Sequence, residues 1–274
     1  MQYNQGMSDA YPDVLRPLFT LGDPRALPGG DWPDYLAQGL TAEQVPDLVR
    51  LATDKALHWD GAERPDIWAP LHAWRTLGQL RAEAAAAPLL AALPAYSESD
   101  WFMDELPEVL GLIGESALPQ LSAFLADSAH DLYERAVVGS GLEKIGLKHP
   151  GVRAACVVIL RSQLERHAEN DSTLNAFLIA NLSDLKATEA APIMEKAFAA
   201  DDVDLGVCGD WEDVQIDLGL LAGRLTPRPR YNVLSDLIPG NRGLSQTSGA
   251  SGAQKARKKA KRQAAKAARR KNRR

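Results

Sequence analysis

The sequence predicts an all-α protein built as an α-solenoid of helical hairpins, and three observations carry that prediction. Apolar residues recur at helical spacing in segment after segment, strict two-residue alternation never lasts more than a few positions, and one pattern repeats along the chain. The pattern is an amphipathic helix ending in Leu-x-x-Leu or Leu-x-x-Ile, a short break, then a second amphipathic helix. The ends fall at Leu77 with Leu80, Leu110 with Ile113, Leu142 with Ile145, and Leu182 with Leu185, in steps of 33, 32 and 40 residues. A lone helix pair cannot bury its apolar face without a neighbour, so this period implies stacking.

Residues 1–62 read as capping helices for the first open end of the stack. Pro12, Pro17, Pro24, Pro28 and Pro33 cut them short, and Thr41 with Gln44 has capping-box spacing ahead of a helix through Val49. Residues 63–225 hold the repeats. In their second helices, Val152, Ala155, Cys156, Ile159, Leu160 and Leu164 share one side, as do Ala190, Ile193, Met194, Ala197 and Phe198. Leu174, Phe177, Leu178, Leu182 and Leu185 form the stripe of a first helix. With Leu110, Ile113, Leu121, Leu142 and Ile145, these stripes predict one continuous core. Pro88, Pro119 and Pro192 stand where a helix starts, and Pro150 stands in a break; in a first turn proline forfeits no intrahelical bond. Asp210 is the expected N-cap of a helix from Trp211 to about Ala222, stopped by Gly223. Residues 226–253, with three prolines and an SQTSGASGA stretch, read as a flexible linker, and residues 254–274 as a basic tail.

The composition, 45% hydrophobic and 24% charged over 274 residues, is that of a soluble globular protein. Its net charge of −5 joins two unlike parts: residues 1–253 carry 19 basic against 36 acidic side chains, whereas the tail carries 12 cations and no acid. No uncharged apolar run approaches the roughly 20 residues of a membrane span. Met1 to Ser8 lack an apolar signal core, so the expected location is cytoplasmic. Cys156 and Cys208 lie 52 positions apart without metal-ligand spacing, which argues against a disulfide framework or a zinc site.

Three stretches resemble a known family: PDIWAPLHAWRTLGQLRAEAAAAPLL (Pro65 to Leu90), ELPEVLGLIGESALPQL (Glu105 to Leu121) and DVDLGVCGDWEDVQIDLGL (Asp202 to Leu220). They look like an uncharacterised bacterial HEAT-like repeat family, a domain of unknown function related in repeat style to the phycobilisome-lyase HEAT-like proteins. The resemblance runs from about residue 8 to about residue 243 and implies HEAT-like hairpins, with no catalytic residue to carry over. Some members end in a cysteine-rich metal motif, whereas this chain ends in Lys, Arg and Ala, so no zinc tail is implied here.

Chemical candidates meet ordinary alternatives. Gly141 to Lys148 (GLEKIGLK) mimics P-loop glycine spacing, but Leu147 stands where the lysine belongs, so a helix end with Gly146 near its C-cap is the expectation. Ser140 lacks the surroundings of a nucleophile elbow. Asp201, Asp202, Asp204, Asp210, Glu212 and Asp213 could gather a hard cation, but their order lacks the glycine turn and terminal glutamate of a calcium loop. They are expected to serve an inter-helix loop and the positive end of the last helix. His72, Trp74 and Arg75 gather on one first helix, and Trp101, Asp104 and Glu105 on the next. Such groups suit acid/base work or stacking, yet repeat ridges commonly bury them, and the structural role is expected. As contacts for a partner, the candidates are His72, Trp74, Trp101, Asp104 and Trp211. Asn181 and Cys156 are expected in the core.

The tail carries the strongest chemical signal. Lys255, Arg257, Lys258, Lys259, Lys261, Arg262, Lys266, Arg269, Arg270, Lys271, Arg273 and Arg274 alternate with alanines and no aromatic, which suits electrostatic contact with a polyanion rather than stacking on bases. The expected function is a non-enzymatic protein-binding scaffold or adaptor without cofactor or metal, tethered through its tail. The alternatives are an RNA- or ribosome-associated factor binding through the tail, and an enzyme of the lyase-like HEAT class.

Overall fold

The computed structural model describes residues 8–24, 32–57, 64–97 and 100–228, and among these every regular element is helical. The linker beyond Arg228 and the basic tail lie outside the described residues. The chain divides into two compact units, Met1–Ile159 and Leu160–Arg274.

In the first unit, α1 (Arg16–Thr20) and α2 (Val45–Ala52) precede three helical hairpins. The first is α3 (Ala69–Gln79) with α4 (Ala86–Tyr96), the second α5 (Asp100–Ile113) with α6 (Leu118–Ala126). In the third, α7 (Leu132–Lys148) leads into α8 (Arg153–Leu164), within which the unit boundary falls. Thr41 and Gln44 form the expected capping box, opening a single 3-10 turn that runs directly into α2. Helix α3 packs on α2 and α5, and α5 packs on α7. Consecutive first helices are therefore neighbours.

The Leu-x-x-Leu signature is the mark of a helix end. After α3, the amide of Ala82 bonds the carbonyl of Leu77 (3.0 Å) and that of Arg81 the carbonyl of Gly78 (2.9 Å). This is a Schellman motif in which the second leucine, Leu80, is the C-cap. The same pair recurs after α9 of the second unit, from Ala187 to Leu182 and from Lys186 to Ser183, both 2.9 Å. Arg81 and Lys186 take the left-handed conformation, with φ of 51° and 55°. After α5, Gly114 also has a positive φ, 86°, but with ψ −146° it is extended rather than left-handed helical, and its amide bonds the Leu110 carbonyl. Each break then makes a 3-10 turn anchored by a buried alanine: Ala85, Ala117 or Ala190.

The third break differs. Helix α7 continues through Gly146 and ends at Lys148, so Gly146 is a buried interior residue and not a cap. The extra turn is held from α5: His149 Nε2 donates to the Gly111 carbonyl (2.9 Å), while Lys144 and Lys148 reach Glu108 at 3.1 and 3.3 Å. Burial raises the Glu108 carboxyl, but the two ammonium groups outweigh it and hold the pKa below the ordinary value.

These crossings are close. A Cβ on Gly78 would meet the Val109 Cα at 3.3 Å; one on Gly111 would meet the Lys144 Cβ at 2.7 Å; one on Gly141 would meet Leu110 at 2.9 Å. Two prolines, Pro94 and Pro107, sit inside α4 and α5. Neither can donate to the helical ladder.

The second unit contains the last residues of α8, then α9 (Ser172–Asp184), α10 (Ala191–Ala199), α11 (Leu205–Cys208) and α12 (Trp211–Leu218). Helix α9 is buried nearly all round and packs on α11 and α12. The core partly corrects the expected stripes. Leu110, Ile113, Leu121, Leu142, Ile145, Leu160, Leu178 and Leu182 are buried, but Ile159, Ile193 and Phe198 are only half-buried. On α8 the buried stripe is Cys156, Val157, Leu160 and Leu164, while Ala155 is exposed and Val152 half-buried. Large residues over a wide arc left the stripe's centre undecided by about one position. Helix α12 ends at Gly219 (φ 78°), not near Ala222: Gly219 supplies the left-handed cap first.

Gly111→Ala should cost about 1–3 kcal/mol, because its methyl would meet the Cβ and backbone of Lys144, which cannot swing aside as a side-chain tip can. Gly151→Ala, at a position with open space, is the matched control. Urea unfolding of both variants checks this, and equal midpoints would contradict the close crossing.

Candidate functional site

Helix α3 carries a polar stripe on its buried surface. His72, Arg75, Thr76 and Gln79 are three to four residues apart and so share a face. Gln79 accepts from the Tyr35 amide (3.0 Å) and donates to the Pro33 carbonyl (2.8 Å). His72 Nε2 lies 2.8 Å from the Gly22 carbonyl and Nδ1 2.7 Å from the Tyr35 hydroxyl. A carbonyl only accepts, so Nε2 carries the hydrogen and Nδ1 accepts from the hydroxyl. The ring is neutral with both nitrogens used. Burial pushes the His72 pKa down to about 4; the Gly22 hydrogen bond opposes this, and the Arg75 charge adds to it. Burial also pushes the Tyr35 hydroxyl up to about 12, so it keeps the proton it donates.

Arg75 forms a two-point pair with Glu105 of α5, at 3.1 Å from Nε and 2.6 Å from Nη2, and its guanidinium stands 5.0 Å from the centre of the Trp32 ring. Trp74 donates to the Ala52 carbonyl (2.6 Å) and packs edge-on against Phe102, with ring centres 4.2 Å apart. His72 and Trp74 are both completely buried. That corrects their candidacy as partner contacts: their polar atoms bind Gly22, Tyr35 and the end of α2 to α3. Of the other candidates, Asp104 is exposed on α5, Trp211 is half-buried beside Phe198, and the side chain of Trp101 lies outside the described residues, as do all twelve cations of the tail.

In the second unit the acidic stretch is divided among separate tasks. Asp202 Oδ2 lies 2.6 Å from His167 Nδ1. Buried Asn175 donates to the carbonyls of both His167 (2.9 Å) and Asp202 (2.8 Å), joining the loop after α8 to the turn after α10. Asp204 caps α11 through the Gly206 amide, and Asp210 caps α12 through the Asp213 amide. Asp210 and Asp213 also hold Arg224, at 2.6 and 2.8 Å, and Glu212 accepts from the Leu225 and Thr226 amides. Those donors, with Arg224, draw the Glu212 carboxyl below the ordinary value against its desolvation. The returning chain thus supplies the positive charge that this cluster would otherwise seek elsewhere. Among the described residues no group of three or more His, Cys, Asp and Glu side chains is placed to hold a metal.

Two histidine sites were not among the sequence candidates. In the His167–Asp202 pair, a proton on Nδ1 leaves Nε2 as an acceptor, the arrangement of a general base, but the contacts shown join two loops. His130 stacks flat on Phe124, ring centres 3.6 Å apart, with the Asp127 and Glu134 carboxylates at 3.9 and 3.7 Å. His130 is within four residues of both acids, a local signal; His167 and Asp202 are 35 apart, and only folding joins them. Burial drives the Cys156 thiol up to about 11, which makes it a poor nucleophile at neutral pH.

No protein-family model, curated protein or solved structure matches this chain.

The buried histidine predicts an acid response. Below about pH 6.5 the unfolded chain takes up a proton on His72 that the folded chain refuses until about pH 4. Stability present above pH 6.5 is therefore lost as pH falls toward 4, by about 3 kcal/mol from this group. His72→Gln, whose amide can still donate and accept, should flatten that part of the curve. Urea midpoints between pH 7 and 4 check this; equal slopes in parent and variant would place the acid sensitivity elsewhere.

Proposed function

We propose that this chain is a non-catalytic α-solenoid of HEAT-like hairpins that binds another protein along its helices, with the basic tail as an electrostatic tether. One observation carries the reading: the ionisable groups gathered inside the fold are occupied in joining its own elements. Arg75 with Glu105 links α3 to α5, Glu108 with Lys144 and Lys148 links α5 to α7, and Arg224 with Asp210 and Asp213 closes the chain onto α12. The recurring helix ends at Leu77 and Leu182 support a repeat, and neighbouring first helices support stacking. Residues 1–253 carry a net −17, which favours a basic protein over the phosphates of nucleic acid as the occupant of the helical surface.

The tail favours a second binding event. Its 12 cations without an acid suit RNA or ribosomal RNA, bound without regard to base sequence.

Affinity purification of the full chain and of residues 1–253 separates the two contributions. The scaffold reading expects the same protein on both baits and RNA on the full chain alone, with RNA affinity falling steeply with salt at a slope of about −0.7 for each phosphate contacted. Removing the tail should leave the melting temperature nearly unchanged. Equal RNA recovery with and without the tail would remove the tether role, and a bait that turns over a small molecule without capturing protein would remove the scaffold reading.

A further inference from the structure

The chain that follows α12 shows what the acidic turn at the start of that helix can hold. Residues 224–228 run back beside Asp210, Glu212 and Asp213, and one guanidinium fills the turn. Arg224 Nη1 donates to Asp210 Oδ1 (2.9 Å) and to Asp213 Oδ1 (2.8 Å), while Nη2 donates to Asp210 Oδ2 (2.6 Å). Two bonds to one carboxylate and a third to its neighbour use the planar fork of arginine, which a lysine ammonium lacks. Glu212 holds the residues that come next. Its Oε2 accepts from the Leu225 and Thr226 amides (3.1 and 3.2 Å), and its Oε1 accepts from the Thr226 hydroxyl (3.0 Å). Arg228 adds a contact with Asp213 at 2.6 Å.

This strap buries little apolar surface in return. Leu225 is 80% exposed, Thr226, Pro227 and Arg228 are exposed as well, and Leu220, just past the end of α12, stays 50% exposed beside it in sequence. Ionic contacts near a surface are individually weak and screened by salt, so such a strap keeps its place largely because it is tethered.

We infer that the start of α12 is a docking site for an arginine-bearing segment of a partner protein, and that residues 224–228 occupy it in cis until such a segment displaces them. The inference rests on the scaffold reading and deepens it: the acidic surface selects arginine at this point, not positive charge in general. The occupant of the turn gives the partner's chemistry, an arginine followed by two free backbone amides and a hydroxyl. A partner that also lays an apolar side chain on Leu220 gains burial that the strap does not have, which favours the exchange.

Fluorescence anisotropy of a labelled, capped AGRLTPR peptide (Ala222 to Arg228) on the purified full chain at low salt tests this. The parent, whose turn is filled, should bind about tenfold more weakly than a chain with Arg224→Gln and Arg228→Gln, because an intramolecular competitor acts at an effective concentration on the order of millimolar. Arg224→Lys, the milder change, should give an intermediate affinity. A peptide with lysine in both arginine positions should bind the opened chain about tenfold less well. Adding Asp210→Asn and Asp213→Asn to the opened chain should abolish binding; asparagine still caps a helix, and melting temperatures show that each variant is folded. Equal affinity of parent and opened chains, equal affinity for the arginine and lysine peptides, or binding that survives the two asparagines would each overturn the proposal, since the general negative charge of the body would then hold the peptide. Absence of binding to the opened chains overturns it too. The peptide is measured on purified protein, so these outcomes are separate from the capture of a partner by affinity purification, on which the scaffold reading itself stands or falls.

Discussion

The close approach of consecutive first helices is the constraint on which the rest of the first unit depends. Gly78, Gly111 and Gly141 stand where α3, α5 and α7 meet, and the neighbouring helix occupies the space a side chain would need. Glycine inside a helix costs about 1 kcal/mol relative to alanine, so its use at three crossings makes sense only where contact returns more. The gain is short range. With backbones this near, His149 reaches the Gly111 carbonyl, and Lys144 and Lys148 reach Glu108.

Close packing makes first helices into buried ones, and that sets a condition on every polar group they carry. An unpartnered amide or hydroxyl in such a place costs about 1–3 kcal/mol, and a charge costs more. The α3 stripe meets the condition by facing Gly22, Pro33 and Tyr35, which lie 37 to 50 residues earlier in the chain than their partners. His72 bonds on both sides as a neutral ring, and Arg75 keeps its charge because Glu105 answers it at two points. These groups fix which loop sits on the helix more than how strongly it sits there. A purely apolar face would accept other registers.

The second unit solves the opposite problem, an excess of acid near a helix start. Asp210 caps α12 and Asp213 lies in its first turn, where the positive end of the helix favours both, and Arg224 returns to neutralise what remains. The chain is thereby directed back along α12 instead of away from it.

What the sequence determined by itself was local: helical periodicity, the Thr41 and Gln44 box, the Asp210 cap, and the Leu-x-x-Leu helix ends, all set by residues within one or two turns of each other. It placed Leu178, Leu182, Cys156 and Asn181 in the core because a stripe on a regular helix has only one apolar side. It did not place Ile159, Ile193 or Phe198 correctly, since the depth of a residue at the stripe's margin depends on the tilt of the neighbouring helix. The α7 end was misread for the same reason: Gly146 is a good stop locally, and only contacts from Glu108 and Gly111 extend the helix past it. Tertiary structure alone decided that His72 and Trp74 are interior anchors, that His167 meets Asp202 across 35 residues, and that Arg224 occupies the acidic turn. Those pairings depend on loop closure, whose geometry is fixed by the packed helices and not by the spacing of residues along the chain.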